Sequence, residues 1–326
     1  MTRQPTNRQD EAGQRAQAPR LSVVIVSWNS RADLSRCLHS VLAHTTCGPL
    51  ELIVVDNGST DGSAELAQSF PNVTVIRLEQ NLGAGGGRNT GLAAARAPLV
   101  LLLDSDAYVV DDVISRAVAR LERDPEVDVL GCELRFPVGR RQYSAFRGMS
   151  IRHTLFRDLW LYQLVPAARR PKLLLGGYYD GDDEVRADWL AAPFILLRRS
   201  VYTDCGGFNA SLFPEDSEWG MRLTRAGKRV LYAPRLGYAF HAGSSSVGDG
   251  ERVMAMHHGA GLAAYRVLHG RVAAIGFWLA ELTGASVRWL GYLGAARLRP
   301  AQQFYATQAA HYRTLVRVYL RLGVPR

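Results

Sequence analysis

Short, mostly apolar runs recur along the first third of the chain, at residues 21–26, 52–55, 73–78 and 99–103. Runs of this length are typical of strands that are buried on both faces, as in a parallel sheet covered by helices. Helical patterns separate the runs, including one that begins after Ser30. The pattern therefore predicts right-handed βαβ units and an α/β fold with a mainly parallel central sheet.

The regular alternation of strands and helices stops near residue 130. Residues 133–185 mix arginine, aromatic residues, glycine and proline, which predicts a loop-rich insertion with a helix near 155–165. Later patterns predict a strand over 189–197, a helix over 214–225, and short strands over 229–232 and 236–240. We expect one α/β domain over residues 21–250, with a nucleotide-binding half at about 21–132 and an acceptor-binding half at about 133–250, followed by a helical region over 251–326.

Residues 1–20 lack apolar periodicity and the apolar core of a signal peptide, which predicts a disordered arm and no export. The four cysteines show no C-x-x-C spacing and fit reduced thiols. These features predict a cytoplasmic protein.

Polar residues follow each of the four strands. Because the carboxyl ends of parallel strands meet at one edge of a sheet, they are expected to line one crevice. The oxygens of Asp104 and Asp106 suit Mg²⁺ or Mn²⁺, which could hold a diphosphate. The alternative is that an aspartate here caps the helix that Asp111 and Asp112 open. The polar strand ends are Ser27-Trp28-Asn29, Asp56-Asn57-Gly58-Ser59, Asn81 to Asn89, and Asp104-Ser105-Asp106.

The third of these ends holds a glycine-rich turn, Gly83 to Gly87, that leads into a helix. Such a turn can bring backbone N–H groups close to phosphate. However, Arg88 stands where a dinucleotide-binding fingerprint requires its third glycine, and the turn follows the third strand rather than the first. A dehydrogenase is therefore disfavoured, whereas a nucleotide site is retained.

Taken in order, several phrases resemble the family 2 glycosyltransferases of GT-A fold, and especially their rhamnosyltransferase-like group. The resemblance covers about residues 21–246 and implies an inverting, metal-dependent hexosyltransferase that uses a nucleotide-diphosphate sugar, with dTDP-rhamnose or a UDP-sugar among the expected donors. The phrases are Val26-Ser-Trp-Asn29, Val54-Val-Asp-Asn-Gly-Ser-Thr-Asp61, Asn81-Leu-Gly83, Asp104-Ser-Asp106, Gly206-Gly-Phe208, Glu215-Asp216-x-Glu218 and His241.

The resemblance also implies roles for individual residues. Asp56 would bind the nucleoside base, although an ordinary turn residue is the alternative. Asp106 would bind the metal, Asp104 the ribose or the metal, and His241 would be the third metal ligand. The remaining residues expected around the nucleotide are Ser27, Trp28, Asn29, Asn57, Gly85, Arg88, Asn89 and Ser105.

The resemblance further implies that Asp216 is the general base, with Glu215 as second choice, since the attacking sugar hydroxyl must lose a proton. The alternative is an acidic first turn that only complements the helix dipole. The segment Asp188-Trp189-Leu190-Ala191-Ala192-Pro193 lacks a glycine that is frequent in the family. The shape of the acceptor pocket is therefore left open.

The C-terminal region is strongly basic. The net charge of the chain is +9, and residues 266–326 hold nine arginines against one acid, Glu281. A helical apolar stripe (Tyr305, Ala309, Tyr312, Val316 and Tyr319) runs beside Arg313, Arg317 and Arg321. This pattern favours peripheral contact with an anionic membrane surface. A helix packed on the catalytic domain, or on a second subunit in a homodimer, is the alternative. Glu281 and Arg288 interrupt the apolar segment 272–296, which disfavours a transmembrane span.

Together these features predict a sugar transferase that acts on a saccharide or lipid-linked saccharide in bacterial cell-surface polysaccharide synthesis. One alternative is a synthase that attaches a sugar to polyprenyl phosphate. The other is a basic nucleic-acid-binding protein, which is disfavoured because the charge lies in a tail and no stacked-aromatic platform is evident. Nucleic acid is therefore not an expected partner.

Overall fold

The computed structural model describes residues 18–212, 215–243 and 250–325. Its strands are β1 (Leu21–Ser27), β2 (Leu50–Asp56), β3 (Val73–Arg77), β4 (Leu99–Asp104), β5 (Ala107–Val109), β6 (Val129–Gly131), β7 (Glu133–Arg135), β8 (Arg141–Gln142), β9 (Ala145–Phe146), β10 (Val185–Ala187), β11 (Trp189–Leu190), β12 (Phe194–Arg198), β13 (Val230–Tyr232) and β14 (Tyr238–His241). Its helices are α1 (Arg31–His44), α2 (Ser63–Gln68), α3 (Gly83–Ala94), α4 (Val113–Arg123), α5 (Ile151–Asp158), α6 (Arg170–Leu174), α7 (Arg199–Cys205), α8 (Glu215–Arg225), α9 (Gly250–His269), α10 (Arg271–Leu298) and α11 (Gln303–Leu322).

The central sheet has eight strands in the order β10-β13-β6-β12-β4-β1-β2-β3. Strands β3, β2, β1 and β4 are all parallel, which confirms the predicted βαβ half. Strand β12 is antiparallel to both β4 and β6, so the second half mixes directions. Apolar side chains from both sheet faces form two buried clusters under the helices.

A second sheet, β5-β14-β7-β8, stands at the carboxyl end of β4. His241 in β14 pairs with Ala107 in β5, and the Ala242 amide donates to the Asp106 carbonyl at 3.1 Å. This pairing holds the end of a distant strand against the acidic turn.

The predicted single strand over 189–197 is wrong, because the chain forms two strands there. β11 pairs with β9 in a separate ribbon, whereas β12 joins the central sheet beside β4. Pro193, which lacks an N–H, lies in the break between them. The amides of the break donate elsewhere, that of Ala191 to the Ser144 carbonyl at 2.9 Å.

The predicted helix near 155–165 is wrong in its bounds. Helix α5 begins earlier because the Ser150 hydroxyl accepts from the His153 amide at its N-terminus. It ends before Trp160, which adopts a φ of 54° and is followed by a 3₁₀ turn at Leu161–Leu164.

The glycines at 83–87 do not form a separate phosphate loop, because α3 already begins at Gly83. A Cβ on Gly87 would lie 2.6 Å from Val26, and one on Gly91 would lie 2.1 Å from Val24. The glycine-rich sequence therefore allows α3 to pack closely on β1.

Helices α9, α10 and α11 share a third apolar cluster, in which Val316 and Tyr319 are buried. The apolar stripe of α11 thus faces the other helices. Within the described residues, every helix is too short or too polar to cross a membrane. Residues 1–17 of the predicted arm lie outside the described residues.

Candidate active site

The acidic turn after β4 and the last strand, β14, create a compact cluster of possible metal ligands. One ligand atom each from Asp104, Asp106 and His241 lies within 4.8 Å of the other two. Nε2 of His241 is 3.4 Å from Oδ1 of Asp106. Burial alone would lower the pKa of His241, but the hydrogen bond and charge of Asp106 raise it.

Gln142 in β8 orients the His241 ring. Its Oε1 lies 2.9 Å from Nδ1 of His241, and its Nε2 donates to the His241 carbonyl oxygen at 2.7 Å. The clamp directs Nε2 towards the carboxylates, which is how second-layer partners orient metal-binding histidines. Sequence reasoning missed Gln142, because it lies in the loop-rich segment without a motif.

This donor set suits a divalent cation. Two carboxylates and one imidazole provide hard oxygen ligands and a nitrogen ligand, which are compatible with Mn²⁺ or Mg²⁺. Neither aspartate caps a helix, since α4 begins beyond them, where Asp111 accepts from the Val113 amide at 3.1 Å. The alternative structural role is therefore wrong.

Arg88 lies behind the cluster and is 5% exposed. Its guanidinium donates to Oδ1 of Asp104 at 2.6 Å and also to Oε1 of Glu215. Burial works to lower the pKa of Arg88, yet the two carboxylates raise it, so Arg88 stays charged. The arginine therefore joins the acidic turn to the first turn of α8.

Asp56, at the end of β2, is 3% exposed. Its Oδ2 accepts from the Ser59 amide at 3.3 Å, whereas its Oδ1 has no hydrogen-bond partner among the described residues. A buried carboxylate oxygen without a donor is costly. Asp56 is thus ready to accept a hydrogen bond from a ligand.

Three of the residues expected around the nucleotide have hydrogen-bond partners in the neighbouring loops. The Asn57 side-chain amide donates to Oδ1 of Asn81 and to the Gly83 carbonyl oxygen. The Asn89 side chain donates to the Phe208 carbonyl oxygen and accepts from the Phe208 amide. Oδ1 of Asn29 accepts from the Thr60 amide at 2.8 Å. These side chains hold the loops around the crevice together.

The other expected contacts lie at or near the crevice. The Trp28 side chain is 55% exposed. The hydroxyls of Ser27, Ser30 and Ser105 form a chain with spacings of 2.9 and 2.8 Å. A Cβ on Gly85 would lie 3.1 Å from Glu215, so this glycine permits α3 to approach α8.

Glu215 and Asp216 open α8 but differ in their environment. Glu215 is 3% exposed and ion-paired with Arg88. The Asp216 carboxylate accepts hydrogen bonds from the Ala192 amide at 3.3 Å and from the Ser217 amide at 2.8 Å. Burial, together with the charge of Glu215, raises the pKa of Asp216 to about 7. Phe213 and Pro214, which precede this pair in the sequence, lie outside the described residues.

Comparison with known proteins agrees with this architecture. The family model described as "Glycosyl transferase family 2" matches residues 22–202. The chain belongs to this family and is a glycosyltransferase.

Its relatives include an N-acetylglucosaminyl-diphospho-decaprenol L-rhamnosyltransferase of Mycobacterium tuberculosis, 29% identical over 73% of this chain and 81% of the relative. Another is the succinoglycan biosynthesis protein ExoO of Rhizobium meliloti, 27% identical over 74% of this chain and 65% of the relative.

Two solved structures share the fold. A mannosyltransferase from Pyrobaculum calidifontis, in complex with GDP-Man and Mn²⁺, has a TM-score of 0.57 at 19% identity, covering 94% of this chain and 88% of its own. Staphylococcus aureus TarS 1-349 has a TM-score of 0.52 at 19% identity, covering 93% and 91%. The fold is therefore GT-A, as the sequence predicted.

Proposed function

We propose that this glycosyltransferase is metal-dependent and inverting, and that it transfers a sugar from a nucleotide-diphosphate sugar to a saccharide or lipid-linked saccharide. The observation that carries the proposal is the joining of Asp104, Asp106 and His241 beside the pair formed by Arg88 and Glu215. This arrangement supports a cation site beside the first turn of α8, where Glu215 and Asp216 lie.

The donor's nucleoside would bind at the ends of β1 and β2. Oδ1 of Asp56, which has no hydrogen-bond partner within the described part of the chain, suits an N–H of the base, because such a bond would satisfy a buried acceptor. The exposed Trp28 offers an aromatic face at the same edge.

Asp104, Asp106 and His241 would hold the metal through two carboxylates and Nε2. A bound divalent cation supplies positive charge to the leaving diphosphate. Arg88 keeps Asp104 in place through its 2.6 Å contact, and Gln142 does the same for the His241 ring. This chain's own contribution is therefore a fixed set of ligands.

Asp216 is the proposed base. Its pKa of about 7 leaves a substantial fraction of the carboxylate ionised near neutral pH, and it is basic enough to take a hydroxyl proton. The acceptor oxygen would bond to the anomeric carbon while the bond to the diphosphate oxygen breaks, and the proton would pass to Asp216. One such displacement inverts the anomeric centre. Glu215 is the weaker candidate because it is ion-paired with Arg88.

The expected donors are dTDP-rhamnose or a UDP-sugar, and the expected process is cell-surface polysaccharide synthesis. The support is the similarity to a mycobacterial relative named as a rhamnosyltransferase and to a succinoglycan biosynthesis protein. Peripheral binding to the inner membrane face and a homodimer both remain predictions.

The experiment is a thermal-shift panel of dTDP, UDP, GDP and ADP, each with and without Mn²⁺. A ligand that binds only the folded state raises the melting temperature by mass action, so the panel ranks the bases. Asp106→Ala should lose the Mn²⁺-dependent shift while its own melting transition stays cooperative. An unchanged Mn²⁺-dependent affinity in this variant would contradict the metal assignment.

A further inference from the structure

A cavity of about 380 Å³ lies between the catalytic domain and the C-terminal helices. Its catalytic wall is the β9/β11 ribbon with Phe146 and Trp189, together with α5. Its opposite wall comes from α9 and α10, through Gly261 and Glu281 among others. The volume falls in the range of roughly 300–1,000 Å³ that small-molecule sites occupy.

The cavity adjoins the start of α8. Ser217, which follows Asp216 in the sequence, lines this cavity. Trp189 lines it too, and together with Asp216 it also lines a separate, narrow space beneath α8. A molecule in the cavity would therefore lie near the carboxylate proposed as the base.

The walls combine an aromatic platform with neutral polar groups. The rings of Phe146 and Trp189 stack with centroids 4.1 Å apart and planes 12° apart. Thr154 and His153 lie on the adjoining helix. Burial, followed by the charge of Arg157, lowers the pKa of His153 to about 4, so this ring is neutral near pH 7.

The charged groups of the walls are balanced. Arg157 donates to both oxygens of Asp158, at 2.6 and 2.8 Å. Arg147 donates to the carbonyl oxygens of Leu173 and Arg186 and lies 3.7 Å from Asp188. Glu281 accepts from the hydroxyls of Thr154 and Tyr319, at 2.6 and 2.9 Å. An aromatic lining among balanced polar groups suits a neutral, polyhydroxylated ring better than a phosphate.

We propose that this cavity is the subsite for a neutral saccharide unit of the acceptor, and that the C-terminal helices complete it. The inference rests on the proposed function and adds the chemical class of the acceptor unit and the elements that bind it. The helical region over 251–326 is then part of the acceptor site.

The test fills the cavity from its C-terminal wall. A Cβ on Gly261 would lie 3.1 Å from the flexible Met149 side chain, so Gly261→Leu extends a side chain into the space with a modest shift. Gly294→Leu is the matched control, because a Cβ there meets no described atom within 4 Å. Phe146→Leu removes one ring of the stacked aromatic pair in the other wall and serves if the first variant does not fold.

Binding is measured by saturation-transfer NMR with the methyl glycosides of N-acetylglucosamine, glucose, galactose, mannose and rhamnose, and with inorganic pyrophosphate as the anionic probe. We expect at least one glycoside to bind the wild type and Gly294→Leu, and to bind Gly261→Leu or Phe146→Leu at least 10-fold more weakly. Equal glycoside binding in the filled variant, or none in the wild type, overturns the inference. Pyrophosphate binding that is lost on filling also overturns it.

Binding of nucleoside diphosphate with Mn²⁺, measured on the same samples, separates the two proposals. If nucleoside diphosphate binding is intact while the glycosides do not bind as expected, only the acceptor inference is wrong. If it is absent from the wild type, the proposed donor site is wrong.

Discussion

Gln142 grips His241 at two points, with its Oε1 2.9 Å from the ring Nδ1 and its Nε2 2.7 Å from the carbonyl oxygen. The two residues lie on strands that do not pair directly, since β7 stands between β8 and β14. The clamp thus fixes the ring through both the side chain and the backbone of the histidine.

Gln142→Ala should weaken Mn²⁺-dependent nucleoside diphosphate binding by about 10–100-fold, because the ring of His241 loses its orienting partner. Titration calorimetry at fixed Mn²⁺ measures the change. Gln142→Glu is the matched control, since it keeps an acceptor for Nδ1, and it should retain more affinity than the alanine variant. Equal affinity in the wild type and the alanine variant would contradict the role of the clamp.

Arg88→Met should destabilise the fold, because it leaves Glu215 buried without its partner. Breaking a buried pair by removing one member costs about 3–5 kcal/mol. Urea unfolding measures the loss. The double variant Arg88→Met with Glu215→Gln should recover much of the stability, since the orphaned charge is removed. If the double variant is as unstable as the single one, the pair is not the cause.

Asp216→Asn should lower turnover by ~10²-fold or more, since it removes the proton acceptor with little change in size. Donor binding should survive. The matched variant is Glu215→Gln, which should act through stability and Arg88 rather than through proton transfer. Near-normal turnover in Asp216→Asn together with a large loss in Glu215→Gln would move the base by one residue.

The pH dependence provides a separate check on Asp216. A base must be ionised to accept a proton, so kcat/KM should fall as the pH drops below about 7. The folded pKa lies above the ordinary value of 3.8, so the folded state holds this proton more tightly. The group's contribution to stability is therefore present at low pH and is lost as the pH rises towards about 7. Asp216→Asn should flatten the pH profiles of kcat/KM and of the free energy of unfolding over this range. An unchanged acid limb in the kcat/KM profile would exclude Asp216 as its source.

The C-terminal arginines should bind anionic membranes by charge, without insertion of the α11 stripe. Arg313, Arg317 and Arg321 are exposed, whereas Val316 and Tyr319 are buried. Arginines near an anionic surface contribute about 1 kcal/mol each, so replacing all three by Glu should cost about 3 kcal/mol of vesicle binding. Cosedimentation at low and high salt measures this.

The control for that experiment replaces exposed arginines of the catalytic domain, Arg123, Arg169 and Arg186, by Glu. This variant has the same net charge and should keep more of the binding. Equal pelleting with neutral and anionic vesicles would argue against the membrane role, and a changed oligomer mass on substitution would point to a homodimer.

Local sequence was sufficient for the first four strands and for the residues at their ends. Runs of buried β-forming residues that alternate with helices leave few topologies, and right-handed crossovers bring their carboxyl ends to one edge. The adjacency of Asp104 to Asp106 and the crevice position of Asp56 follow from that rule. The family motifs pointed to His241 and Asp216 in addition.

The remaining features depend on contacts between distant segments. Pairing of β14 with β5 and β7 determines that His241 reaches Asp106, and no local pattern marks Gln142 as its clamp. In the sequence, the glycines of α3 suggest a phosphate-binding turn. Their close packing on β1 is evident only in the tertiary structure.

The sequence by itself determined the α/β class, the family and most of the polar residues at the strand ends, because these depend on periodicity and on short motifs. Only the tertiary structure decided how these side chains are hydrogen-bonded. The side chains of Asn57 and Asn89 form hydrogen bonds with neighbouring loops, whereas Oδ1 of Asp56 has no partner among the described residues. The tertiary structure also decided that the apolar stripe of α11 packs against α9 and α10. An amphipathic pattern determines which face of a helix is apolar but not what covers that face.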